Sequence, residues 1–120
     1  MKKTLIVALM VSVGLSACGS KEPNPQDQVT TKITRFNVGG FGAVMIADFA
    51  ITNNTSSPVK DITVICNGKS ETGTKIDKNE RVIYKIINPN QTIKIKDFNM
   101  GFINSNVSTT SCYTSKFLPG

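Results

Sequence analysis

Histidine is absent from all 120 residues. Without an imidazole neither Ser-His-Asp nor Cys-His nucleophile systems can be built, and His-ligated zinc and iron sites are excluded with them. Acidic residues are few, 8 against 14 lysines and arginines. Asp77 and Glu80 imitate a carboxylate pair, but Lys78 and Arg81 flank them on a polar stretch. They read as a solvated loop, because acid–base work needs one carboxyl with a raised pKa in a cleft. The glycine-rich GGFG at 39–42 lacks the G-x-G-x-x-G spacing and precedes no helix pattern. It reads as a flexible strand connection and not as a phosphate cradle. No apolar run reaches the ~20 residues needed to span a bilayer, and no long stretch has a helical period.

What is present begins at the N-terminus, where Lys2 and Lys3 precede an apolar run over 4–15 and then Ser16-Ala17-Cys18. Lysines followed by a short apolar segment are the layout of a signal peptide over 1–17. An ordinary secretory signal ends in an A-x-A-like site. Leu15-Ser16-Ala17-Cys18 instead resembles the lipobox of bacterial lipoproteins. That resemblance implies that the Cys18 thiol is alkylated with diacylglycerol, that the chain is cut before it, and that the new α-amine takes a further acyl chain such as palmitate. Two or three chains hold a protein stably at a membrane, at ~0.8 kcal/mol per buried methylene, where one chain does not. Gly19 follows where an aspartate would retain the protein at the inner membrane, so the resemblance implies an outer-membrane address facing the periplasm of a diderm cell.

After cleavage 103 residues remain, and the formal charge falls from +6 to +4 as Lys2 and Lys3 leave. Residues 18–28 are expected to form the lipidated N-terminus and a semi-extended tether, since 21–28 carry no apolar side chain except two prolines. The folded domain is expected over 29–118, a size at which a core alone is marginal. Cys66 and Cys112 are left after lipidation, and an oxidising compartment predicts a disulfide between them. Closing that loop stabilises by ~4 kcal/mol in the chain-entropy model.

From Lys32 onward the hydrophobic pattern has period two, broken by clusters of Gly, Pro, Asn and Ser. Strands are predicted over 32–38, 43–53, 59–66, 81–87, 92–98 and 107–114, with a possible seventh near 74–76. Met45, Ala47, Phe49 and Ile51 are expected to face the core, as are Ile62, Val64 and Cys66. Asn67-Gly68 reads as a hairpin turn. Val82, Tyr84 and Ile86 are expected inward and Ile83 and Ile87 outward. If 81–87 and 92–98 pair across the turn at 88–91, Lys85 faces Lys94, and Arg81, Lys85, Lys94 and Lys96 gather on one outer face. The Asn-x-Ser/Thr triplets at Asn53, Asn54, Asn90 and Asn106 read as turn chemistry.

The fold class is therefore all-β: one two-sheet sandwich of six to seven antiparallel strands. "ITNNTSSPVKDITVICNGK" and "IINPNQTIKIKDF" resemble the paired "N-x-S-x-x-x-V-x-x-V-x-V" and "P-G-x-x-x-x-F" patterns of small bacterial FxLYD-like and fibronectin-III-like modules. Asn90 stands where the glycine usually does, and there is no L-Y-D. The resemblance covers most of 43–98 and implies an immunoglobulin-like architecture without a catalytic role. No cofactor and no metal are expected. The expected function is a non-catalytic binding or scaffolding module, anchored to the membrane by its N-terminal lipid. An envelope protein or an anionic envelope polymer is the expected partner, and the export address disfavours nucleic acid. Candidate contact residues are the cations Arg81, Lys85, Lys94 and Lys96, and Met100, Phe102 and Ile103 in the "NMGFINSN" segment. The alternative is an inhibitor of an exported enzyme such as lysozyme, whose usual positive charge a +4 domain repels at long range.

Overall fold

The structure is a computed structural model describing residues 24–39 and 43–120. The signal segment 1–17, Cys18 and residues 40–42 of the glycine loop lie outside the described residues. Six strands form: β1 Val29–Gly39, β2 Val44–Asn53, β3 Val59–Lys69, β4 Lys75–Ile87, β5 Thr92–Phe102 and β6 Thr109–Pro119. They make two antiparallel sheets in the orders β1-β2-β5 and β4-β3-β6. The sheets stack with β1 over β6 and β5 over β4. This is the all-β sandwich that the period-two pattern predicts, and residues 74–76 lead into β4 instead of forming a seventh strand.

The central strands supply the core. Met45, Ala47, Phe49 and Ile51 of β2 and Ile62, Val64 and Cys66 of β3 are all buried, as their alternation requires. Phe49 meets Phe98 of β5 edge-on at 6.3 Å between ring centroids, a geometry that aromatic quadrupoles favour. Three irregularities reset the alternation. Asp61 in β3 and Asp97 in β5 have φ of 49° and 51°, so Val59 and Ile62 both point inward although three residues apart, and the same step separates Ile95 from Phe98. Gly101, at φ 96°, lets β5 turn Met100 into the core while Phe102 swings out.

Cys66 and Cys112 are direct cross-strand partners on β3 and β6 and form the expected disulfide. It lies within one sheet and ties the last strand to the central one.

Four expectations are corrected. Asn67-Gly68 is not a turn: β3 runs through it to Lys69, and the chain reverses over 70–74, where Ser70 N–H donates to Thr74 O and Gly73 takes φ 85°. Gly68 is needed for close approach, since a Cβ there would lie 2.8 Å from Val107 Cγ2. Next, the tether is not extended throughout. Pro25–Gln28 make one helical turn, α1, with Pro25 supplying the fixed φ at its start. Asn54 clamps it, its N–H donating to Gln28 O (2.8 Å) and its Nδ2 to Asp27 O (3.2 Å).

The third correction concerns β4 and β5, which lie in different sheets and do not form a hairpin. The link at 88–91 wraps across the end of the sandwich. Asn90 N–H donates to Asn53 O, and Asn53 N–H donates to Gln91 O, so β2 captures the chain. Crossing also avoids setting Lys85 directly opposite Lys94, a destabilising pairing in a sheet.

Last, the phase of β4 is opposite to expectation. Ile83 and Ile87 are buried, whereas Tyr84 is 76% and Ile86 63% exposed. Asn79 fixes this phase by donating from Nδ2 to Met100 O (3.1 Å) and Phe102 O (2.6 Å) of the facing strand. Arg81 and Lys85 share the phase of Ile83, which an edge strand tolerates because their long stems reach water around the rim.

Candidate functional site

The four cations proposed for one face are divided. Lys94 and Lys96 stand on the outer face of the β1-β2-β5 sheet, where Lys94 and Lys32 flank Ala50 in one cross-strand row. Arg81 sits at the rim between β4 and β5, and Lys85 is an exposed residue of β4, an edge strand. The Arg81 guanidinium lies over Gly101, whose missing side chain leaves the space, and its Nη1 donates to Glu80 O at 2.9 Å. All four are exposed, but they do not make a single patch.

The "NMGFINSN" segment is likewise split. Met100 and Ile103 are buried and belong to the core, so they offer nothing to a partner. Phe102 alone is presented, 81% exposed at the end of β5. Ile103 is held by its own N–H to Ala43 O at 2.8 Å. Asp77 and Glu80 stand in β4, not on a turn. Asp77 receives N–H bonds from Lys78 and Asn104 and thereby pins the β5–β6 connection to β4.

One ion cluster was not foreseen from sequence. Arg35 of β1 donates from Nε to Asp48 Oδ2 of β2 at 3.0 Å and from Nη2 to Asp97 Oδ1 of β5 at 2.9 Å. The Asp97 N–H also donates to Asp48 Oδ1 at 2.8 Å. Asp48 is thus almost fully covered on an outer sheet face, with its carboxylate holding two bulged neighbours together. The side-chain bonds from Arg35, then the backbone N–H of Asp97, hold its pKa below the ordinary carboxylate value. The same contact raises that of Arg35. A depressed carboxylate pKa contributes stability that is present above the unfolded value, near 3.8, and is lost as pH falls through the folded one. The expected result is a melting temperature that drops on acidification below about pH 4. Asp48→Asn is expected to melt lower than the native chain at pH 7 and to converge with it in strong acid. Parallel melting-versus-pH curves for the two proteins would exclude this role.

Two surfaces remain. At the end holding the 70–74 turn, an open groove of about 590 Å³ runs beside residues 104–108, lined by Ser70, Thr72, Asn104, Asn106 and Ser108 among others. The Thr72 hydroxyl on its wall is hydrogen-bonded to those of Ser70 and Thr74. On the outer face of the β4-β3-β6 sheet, Tyr84, Ile86 and Leu118 form an exposed apolar strip. The sequence signal for the strip was the alternation of Val82, Tyr84 and Ile86, read with the opposite face inward. Among the described residues no three Cys, Asp or Glu side chains are close enough to hold a metal ion, and no helix is long and apolar enough to cross a membrane. Comparison with protein-family models, with curated proteins and with solved structures finds no match to this chain.

Proposed function

We propose that this chain is a lipid-anchored envelope lipoprotein whose β-sandwich is a non-catalytic binding or scaffolding module, displayed at the outer membrane on its periplasmic side. The observation that carries the reading is Leu15-Ser16-Ala17-Cys18 placed directly behind a lysine-headed apolar run. Alkylation needs a thiol at that one position, and the small residues before it let the chain enter a peptidase site. The disulfide between Cys66 and Cys112 supports an oxidising compartment. The absence of histidine from the sequence supports a role in binding over one in catalysis.

The test is metabolic labelling with a fatty acid in a diderm bacterial host. The native chain is expected to take up label and to shorten by 17 residues. Cys18→Ser is expected to remain an unlabelled precursor of unchanged length. Labelling of the serine variant at the native level would overturn the lipoprotein reading.

A further inference from the structure

The two outer faces of the sandwich differ in kind. At the end of the sandwich that holds α1, the β1-β2-β5 face carries cross-strand rows of Thr30, Thr52 and Thr92 and of Lys32 and Lys94, as a solvated sheet face should. Its one strongly exposed apolar residue among the described residues, Phe102, lies opposite Val44 at the far end. The β4-β3-β6 face carries Tyr84, Ile86 and Leu118, respectively 76%, 63% and 49% exposed. Lys60 sits between Ile86 and Leu118 in one cross-strand row, and Lys116 pairs with Thr63 and so joins Val82 in the next. A shallow groove of about 270 Å³ lies between Tyr84 and Leu118, floored by Val82, Thr63 and Phe117. Asp61 is a carboxylate on its wall.

The strip also lies at the end where the anchor enters. Val29 pairs with Asn53, whose Nδ2 donates to Ile87 O, the residue after Ile86. The α1 turn packs against β6, the strand that carries Leu118, and Gly120 N–H donates to Pro58 O at the same end. From Cys18 to Asn24 the contour length is at most about 20 Å. That distance holds this end of the sandwich close to any bilayer that Cys18 occupies.

We infer that the Tyr84, Ile86 and Leu118 face rests on the surface of the bilayer to which the chain is anchored. Tyrosine and aliphatic side chains interleaved with lysine suit the headgroup boundary, where the apolar parts enter and the ammonium groups stay with lipid phosphates. Lys60 and Lys116 favour anionic headgroups, and anchoring raises the local concentration of the face at the membrane. The inference rests on the lipoprotein reading and deepens it, since it gives the domain an orientation: the threonine face is directed away from lipid, free for a partner.

The chain has no tryptophan, so Tyr84→Trp introduces a single indole reporter at an exposed position. The acylated full-length protein, its acyl chains verified by mass, is reconstituted into vesicles whose lipids are brominated in the acyl chains. Indole emission from the Tyr84→Trp protein is expected to shift to the blue and to be quenched, more strongly with anionic than with zwitterionic lipids. A Lys94→Trp protein, with its reporter on the opposite face, is expected to stay unquenched. Adding Ile86→Ser and Leu118→Ser to the Tyr84→Trp protein is expected to abolish the quenching. If the acylated Tyr84→Trp protein is no more quenched than the Lys94→Trp protein, the inference is overturned. A blue shift without bromide quenching overturns it as well, because the indole is then buried in a dimer or against another protein. A mass without acyl chains overturns the lipoprotein reading itself and this inference with it.

Discussion

Replacing Cys66 and Cys112 together by alanine is expected to lower stability by about 4 kcal/mol, the chain-entropy cost of a loop of this length. The cysteines are 46 residues apart and face each other across β3 and β6. Small domains are stable by only ~5–15 kcal/mol, so the loss is a large share of the total. For a chain of this size it corresponds to a fall of roughly 15–30 °C in melting temperature. The mechanism makes a further distinction. If the bond acts on the unfolded ensemble, dithiothreitol should bring the native chain to the melting temperature of the double variant and leave the variant unmoved. A double variant that melts within a few degrees of the native protein would show that β6 is held by its ladder and packing alone.

Asn53→Ala is expected to cost about 3 kcal/mol, the range for leaving buried partners unsatisfied. Asn53 is fully buried at the end of β2. Its Nδ2 donates to Ser57 O (2.8 Å) and Ile87 O (2.9 Å), and its Oδ1 accepts from Thr55 N–H (2.9 Å) and Thr55 Oγ1–H (2.7 Å). Both donors and both acceptor positions of the amide are used, so truncation orphans groups in the β2–β3 connection and in β4 together. Asn53→Asp keeps the shape but turns a carboxylate oxygen toward two carbonyl oxygens. That variant is expected to be less stable than the alanine variant at pH 7 and to recover in part below about pH 5, where a protonated carboxyl donates one bond again. Chemical denaturation at the two pH values decides it. Equal stability of the aspartate and asparagine proteins at pH 7 would mean that water satisfies this site.

The strands themselves were legible because Gly, Pro, Asn and Ser clusters cut a period-two pattern at regular intervals. The disulfide was legible because Cys66 and Cys112 are the two cysteines left once Cys18 is read as a lipobox residue. The β4 phase was not, because Val82, Tyr84 and Ile86 make the stronger hydrophobic alternation while Ile83 and Ile87 share their phase with Arg81 and Lys85. What decides between them is Asn79, bonded to carbonyls of the facing strand. That is a tertiary contact with no local sequence signature. The crossing at 88–91 was hidden for a related reason: its captor, Asn53, lies far upstream of Asn90 in the chain. Met100 and Ile103 read as a loop because the positive φ of Gly101 breaks the alternation on which strand recognition depends. The Arg35–Asp48–Asp97 cluster needs the bulges of two strands to form, and bulges leave little trace in a single sequence.

The sheet orders also set a timetable for assembly. Two hairpins, β1–β2 and β3–β4, close through short connections, and local closure of this kind takes microseconds. The other two strands arrive by longer routes, β5 reaching back past two strands to lie beside β2, and β6 past β4 and β5 to lie beside β3. During synthesis the β3 edge therefore stays unpaired until the C-terminal residues emerge, with Cys66 waiting on it for Cys112. In that interval Ile62, Val64 and Cys66 form an uncovered apolar edge, open to a neighbouring chain. The domain is most vulnerable to aggregation just before its final eleven-residue strand docks.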